Sequence, residues 1–420
     1  MITRQQTVAV IGLGYIGLPT ATLLASSGFT VSGVDINPRV VETINAGKVH
    51  IEEKDLDGLL HKVLTGGTFR AFTEVPQADY FLIAVPTPLD VDHKPNLDFV
   101  LSAARAIAPK LQKNNCVILE STSPVGTTEK VARLIRDLRP DLCVPVSGND
   151  QEADVAVAYC PERVLPGKII RELVSNDRVI GGMTPACAKV AAQFYRLFVK
   201  GECLETSART AEMVKLAENS FRDVNIAFAN ELSLVADTLE IDIWEVLRLA
   251  NRHPRVSILK PGPGVGGHCI AVDPWFLVAG APEAARLVRT AREVNTHKSR
   301  HVFERLDNLL CTMPDRKMAV LGLAFKPDID DFRESPALEI ASDLARLHGV
   351  RMMMVEPFAD TLPEPLAGSG ATLCDLEEAV REAEIIAILV VHTAFGGLTR
   401  QMLSGKIVYD SRGMLSKCRY

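Results

Sequence analysis

The sequence predicts an α/β protein with a parallel-sheet domain at each end and a long-helix region between them. Three observations predict it. Short apolar, β-branched runs alternate with helical patterns from the start of the chain to about Cys203. A stretch almost free of helix breakers follows, and after Asp315 the alternation starts again.

The first runs fall at 7–11, 30–34, 80–85 and 117–120, separated by helical patterns such as 98–111 and 127–138. That alternation specifies βαβ units and a parallel sheet with helices on both faces. Further strand-like runs at 153–158 and 177–180 complete a first domain over 1–203. In the central region, 204–310, Leu216, Phe221, Val224, Phe228, Leu232 and Val235 recur at helical spacing. They predict one helix over 209–238 and another over 243–250, with a further helical stretch over 282–309. The first would extend about 45 Å at 1.5 Å per residue, a length that bridges domains or forms a dimer interface. The last domain, 311–420, shows strands at 318–323, 351–355, 385–391 and 407–410 and a helix at 335–347. The two ends resemble each other in pattern, but the sequence itself shows no internal duplication.

Composition sets bounds on function. The 420 residues are 47% hydrophobic and 23% charged, with a net charge of -6. This is a globular balance, and no basic tract interleaves with aromatics, so nucleic acid is not an expected partner. An anionic ligand would need local Arg and Lys. The nine cysteines are scattered without CxxC spacing. They predict neither a metal site nor a disulfide framework, and a reducing cytoplasmic setting. No charge falls between Arg4 and Asp35, yet Gly12, Gly14, Gly17, Pro19 and Gly28 break the stretch too often for a membrane span.

Gly12-Leu-Gly14-Tyr15-Ile16-Gly17 follows the first strand and opens a helix. In a Rossmann-type turn the first glycine makes the bend, the second admits the pyrophosphate and the third lets helix and strand pack closely. The phosphates then meet free N–H groups at the helix N-terminus. Asp35, at the end of the next strand, would accept from the ribose hydroxyls and repel a 2′-phosphate, which favours NAD over NADP. Thr87, Thr122 and Thr128 follow later strands, where open α/β sheets bind ligands. Their hydroxyls suit ribose, nicotinamide or a reacting water, and equally suit turns and helix caps.

The segment Pro261-Gly262-Pro263-Gly264-Val265-Gly266-Gly267-His268-Cys269 has one ordinary side chain, Val265, before the His–Cys pair. Such a loop brings backbone N–H groups close to a ligand or oxyanion, and a cysteine within it is a candidate nucleophile for an aldehyde. The other cysteines read as small core residues. Lys215, Asn219 and Arg222 share one face of the long helix, suited to an oxyanion or simply to solvent. Arg252, His253 and Arg255 form a basic knot that either clamps a diphosphate or decorates a loop.

The ordered segments GLGYIGLP, VPTP, ESTSPVGTTEK, YCPERVLPG, KLAENSFRDVNIAFANE, NRHPRV, PGPGVGGHCIAVDPWF and GLAFKPDIDDFRESPA resemble the UDP-glucose/GDP-mannose dehydrogenase family over essentially the whole chain. The resemblance is nearest to bacterial members that oxidise UDP-N-acetyl-D-mannosamine for enterobacterial common antigen. It implies an N-terminal NAD domain, a helical middle that makes a homodimer, and a C-terminal Rossmann-like domain that holds UDP. It implies that Cys269 is the nucleophile, that Lys215 and Asn219 handle oxyanion, protons or water, and that Asp273 is the acid following the cysteine. It places UDP-sugar contacts at Arg163, Val164, Arg222, His253, Arg255, Gly266, Phe325 and Lys326, and NAD contacts at Tyr15, Ile16, Asp35, Thr87, Thr128 and Arg333.

One position departs from the family. Many members acting on UDP-glucose carry a second glutamate four residues after the one matching Glu162, where this chain has Pro166. Proline does no acid–base work. The hydrolytic water then falls to Glu162, Lys215 or Thr122, and an N-acetylhexosamine is favoured over glucose. The expected reaction is a four-electron oxidation at C6 through a thiohemiacetal and a thioester on Cys269. The alternatives are UDP-glucose and UDP-N-acetylglucosamine. A two-electron dehydrogenase with the same N-terminal fold has no use for the GGHC loop or the second α/β domain.

Overall fold

The computed structural model describes residues 6–51, 53, 55–148, 150, 153–165, 167–267 and 269–416; Pro166, His268 and Cys418 lie outside them. The chain divides into two compact units, Met1–Glu218 with Trp275–Gly280, and Asn219–Pro274 with Ala281–Tyr420.

The first unit holds an eight-stranded sheet: β1 (Thr7–Ile11), β2 (Thr30–Val34), β3 (Phe69–Phe72), β4 (Tyr80–Ile83), β5 (Asn115–Leu119), β6 (Val155–Tyr159), β7 (Arg178–Gly182) and β8 (Cys203–Ser207), in the order β3-β2-β1-β4-β5-β6-β7-β8. Every residue of β5 and β6 is buried, as expected of central strands covered on both faces. The two strands of this sheet absent from the sequence reading, β3 and β8, are its edges. FRAF alternates buried and exposed, and CLETS is largely polar, so neither carries the continuous apolar run of a central strand. One expectation is corrected: the sheet is not wholly parallel. β6 and β7 pair antiparallel, Ala158 opposite Gly182 and Tyr159 opposite Gly181. The intervening link carries only the seven-residue helix Ile169–Ser175, and the chain turns back instead of crossing over.

The helices start on local signals. Asn37, Thr184 and Asp375 each accept a backbone N–H within the first turn, and proline follows the first two. The helix Ala208–Thr238 runs 31 residues and contributes to both units.

The second unit holds β9 (Met318–Leu321), β10 (Met352–Val355), β11 (Thr372–Leu373), β12 (Ile385–Ile388) and β13 (Ile407–Asp410), all parallel, in the order β11-β10-β9-β12-β13. This repeats the β3-β2-β1-β4-β5 order of the first sheet. A buried polar network joins the long helix to the helix Arg286–Thr312. Arg292 donates to Asp223 at 2.7 Å, Asn295 donates to Asp223, and Asn230 donates to Asn295 at 2.9 Å. Among the described residues no helix is long and apolar enough to cross a membrane.

Candidate active site

In the first unit the glycine-rich turn shows a division of labour. Gly12 has φ +93°, and a Cβ there would come within 2.5 Å of the Ala84 carbonyl oxygen. A Cβ on Gly17 would come within 1.8 Å of the Gly12 oxygen, so helix and strand touch there. Gly14 is different: nothing lies within 4 Å of an added Cβ. Its backbone faces open space at the switch between β1 and β4, where the strand order reverses and ligands bind. Asp35 Oδ2 accepts from the Leu13 N–H at 3.1 Å and Oδ1 from the Asn37 N–H at 2.9 Å. The carboxylate is half-exposed and keeps lone pairs for ribose hydroxyls. These residues fit NAD. Tyr15 and Ile16 occupy the turn between Gly14 and the helix.

The threonines are tied into the scaffold. Thr87 Oγ1 donates to the Thr122 carbonyl at 2.6 Å, linking the loops after β4 and β5. Thr128 Oγ1 donates to Glu212 Oε1 at 2.7 Å, and Glu212 also accepts from the Gly126 and Thr128 N–H groups. Glu212 is fully buried at the N-terminus of the helix Thr127–Leu138; burial pushes its carboxyl up while these donors pull the other way. The sequence reading missed this glutamate, although it lies on the Lys215–Asn219 face of the long helix.

Glu162 and Lys215 are brought together. Lys215 Nζ donates to the Glu162 carbonyl at 2.8 Å and to its Oε1 at 3.1 Å, with both residues buried. Glu162 Oε2 accepts from the Val164 N–H at 3.0 Å. Arg163 pairs with Glu218 at 2.6 Å and donates to the Asp177 carbonyl. Glu53 holds the far side of this loop through the Gly167 and Ile169 N–H groups. Behind Glu162 lies a second group that sequence reasoning missed. Tyr195 donates to Glu120 at 2.6 Å, and burial raises the Glu120 carboxyl.

In the second unit Cys269 is exposed on the turn that leads into the helix Asp273–Gly280; the Asp273 N–H donates to the Cys269 carbonyl at 2.9 Å. A position just before a helix favours thiolate. Asn219 Nδ2 donates to Asp273 Oδ2, and both are buried. The loop before the cysteine is pinned by the Gly262 N–H donating to Asn230 Oδ1 at 2.9 Å. A Cβ on Gly266 would come within 2.2 Å of the Glu334 oxygen, and one on Gly267 within 2.8 Å of the Phe325 ring. Only glycine fits beneath that ring. Lys326 Nζ lies 5.8 Å from its centroid. Arg333 forms a two-point pair with Asp331. Arg222, Arg252, His253 and Arg255 are exposed.

Arg412 was also missed. Its Nε donates to the Leu389 carbonyl at 3.1 Å, and its guanidinium packs on Gly262. Burial pulls it down to about 10. A desolvated cation at the carboxyl end of a sheet suits a phosphate; it lies beyond the last strand, where no motif marks it.

Asp307, Cys311 and His348 bring potential metal-ligand atoms within 4.8 Å of one another. Arg351 donates to His348 Nδ1, so Nε2 carries the proton and donates to Asp307, which leaves no imidazole lone pair for a metal.

A dinucleotide turn, a second sheet of the same strand order and a cysteine on a glycine loop define the class as a two-sheet NAD-binding oxidoreductase. The chain belongs to the UDP-glucose/GDP-mannose dehydrogenase family, matching its NAD binding domain over residues 6–199, its central domain over 209–297 and its UDP binding domain over 319–417. It is 54% identical over 416 residues to the UDP-N-acetyl-D-mannosamine dehydrogenase of Escherichia coli (strain K12), covering 97% of this chain and 99% of that one. It is 52% identical over 414 residues to the NDP-N-acetyl-D-galactosaminuronic acid dehydrogenase of Ralstonia nicotianae, covering 99% and 97%. Among solved structures, the UDP-D-ManNAc dehydrogenase of Pyrococcus horikoshii matches with a TM-score of 0.86 at 38% identity, covering 98% of this chain and 96% of that one.

Proposed function

We propose that this protein oxidises C6 of UDP-N-acetyl-D-mannosamine to the carboxylate, with Cys269 as covalent nucleophile, in the cytoplasm, for a cell-surface polysaccharide of the enterobacterial common antigen kind. The observation that carries the reading is Cys269 itself, exposed beside an Asn219–Asp273 pair on a loop that only glycine can form.

NAD, held by the Gly12–Gly17 turn and Asp35, supplies the hydride acceptor for both oxidations. Lys215 and Asn219 stabilise the developing oxyanion at C6. Cys269 adds to the aldehyde and retains it as a thiohemiacetal, whose oxidation leaves a thioester. Glu162, oriented by Lys215, serves the water that releases the uronate. Arg163, Val164, Arg222, His253, Arg255, Gly266, Phe325, Lys326 and Arg412 hold the UDP-sugar; Thr87, Thr122, Thr128 and Arg333 complete the cofactor side. The helix Ala208–Thr238 makes a homodimer: Phe221, Phe228 and Val235 recur every seven residues and are 69%, 53% and 47% exposed. Sedimentation of Phe228→Asp as a monomer is the expected result.

The near-equal identity to a galactosaminuronic acid enzyme favours one second reading, an N-acetylgalactosamine substrate. NADH release from the UDP-linked N-acetylmannosamine, N-acetylgalactosamine, N-acetylglucosamine and glucose decides between them. Two NADH per sugar are expected, and a yield of one would sink the thioester scheme.

A further inference from the structure

The second sheet repeats the hydrogen bonds of the dinucleotide turn. Gly12 N–H donates to Val34 O at 2.8 Å, and Gly322 N–H to Val355 O at 2.9 Å. Gly322 has φ +85°, as Gly12 has +93°. Asp35 accepts from the Leu13 and Asn37 N–H groups; Glu356 accepts from the Leu323 and Phe358 N–H groups at 2.7 and 3.1 Å. Glu356 therefore stands where an acid receives ribose hydroxyls in a dinucleotide fold. Here it is buried and already has another donor, His392 Nε2 at 3.2 Å.

The rest of the equivalence fails. Ala324 and Pro327 stand at the positions of Gly14 and Gly17, and the next helix starts only at Pro336. The segment that replaces the turn and the start of its helix carries Phe325, Lys326 and Asp328. Asp328 has φ +60°, and it is anchored to the loop after β12 by three bonds. Its N–H donates to His392 Nδ1 at 3.0 Å, and its carboxylate accepts from the Thr393 N–H at 2.7 Å and the Thr393 hydroxyl at 2.6 Å. The accepting Nδ1 fixes the tautomer with the proton on Nε2. The charged neighbours of the ring are Glu356 and Asp328, and the Phe358 and Phe395 rings flank it.

We infer that His392 is a positioning residue: its imidazole fills the ribose place of a disused dinucleotide crevice and turns it into a rigid mount for the Phe325–Lys326 loop. Phe325 packs over Gly267, two residues before Cys269, so the same mount supports the turn under the nucleophile. The inference rests on the proposed role of Phe325 and Lys326 in holding UDP.

Two amide substitutions separate the ring nitrogens. His392→Asn sets an acceptor near the place of Nδ1 and keeps the Asp328 bond; His392→Gln keeps only the donor to Glu356. The readouts are the UDP dissociation constant by calorimetry and the KM for NAD. His392→Gln should weaken UDP about tenfold, the loss of one buried hydrogen bond, with the NAD KM unchanged. His392→Asn should stay within about threefold of the parent. Thr393→Val, at an exposed site that leaves the core intact, should weaken UDP by a smaller factor. A merely structural role for the Glu356 contact predicts the reverse order; that order, or equal shifts in both readouts, overturns the inference. Lys326→Ala is the control. If it weakens UDP while His392→Gln does not, the positioning role alone is wrong; if it leaves UDP unchanged, the loop is not a UDP mount and both readings fall.

Discussion

Gly14→Ala separates the folding role of the glycine-rich turn from its ligand role. Nothing lies within 4 Å of a Cβ at Gly14, and its φ is not in the left-handed region, so the fold accepts the methyl group. Removing a glycine from such a position stabilises by about 0.4–1 kcal/mol through the unfolded chain. In the proposed NAD site the methyl group would instead occupy the space the pyrophosphate enters. Losing one charge-assisted N–H bond to a phosphate is worth about 1.5–3 kcal/mol, or roughly 10- to 150-fold in NAD affinity. Gly12→Ala is the counterpart. It combines φ +93° with a 2.5 Å clash on the Ala84 oxygen, and should lower Tm before it reaches the cofactor. Calorimetric titration of NAD and thermal unfolding of both variants give the answer. If Gly14→Ala binds NAD as tightly as the parent, the turn is not where the pyrophosphate sits.

Three further outcomes are expected. Brief alkylation at pH 8 should label exposed Cys143, Cys269 and Cys311 before buried Cys116 and Cys160, because burial pushes the Cys160 thiol up to about 12; mass spectrometry showing Cys160 labelled first would contradict this. Lys215→Met leaves the Glu162 carboxylate buried without its cation and should cost about 3–5 kcal/mol of stability; Lys215→Met/Glu162→Gln should recover stability but not turnover, and recovered NADH production would refute the catalytic assignment. Desolvation lowers Lys298 to about 8 from 10.5, so the folded state binds fewer protons than the unfolded between those values, and stability rises with pH across that window. Lys298→Met should therefore be more stable than the parent by on the order of 2–3 kcal/mol below pH 8, an advantage fading toward pH 10.5, and a pH-independent difference in urea midpoints would count against it.

Much of the architecture was legible because its signals are local. The runs at 7–11, 30–34 and 407–410 are strands with those very bounds, and the long helix begins one residue before its expected start. A continuous apolar run reports burial on both faces directly, so central strands announce themselves. The edge strands β3 and β8 do not, since β3 alternates buried with exposed residues and no residue of β8 is buried. The antiparallel β6–β7 pair was hidden for another reason: strand direction depends on how the link folds, and no residue in the strand encodes it.

The candidate site divides the same way. Features that follow from a residue's own backbone or its sequence neighbours were readable from the sequence alone: the bend at Gly12 and the helix–strand contact at Gly17, Asp35 at the strand end, and Cys269 on the glycine-rich loop. Residues that act by meeting a distant partner were not. Glu212 on Thr128, Asn230 on the Gly262 N–H, Arg412 against Gly262 and His392 on Asp328 each join segments separated by tens of residues or more. A hydrogen bond between two such side chains leaves no periodic trace in either segment, so only the folded chain determines that it forms.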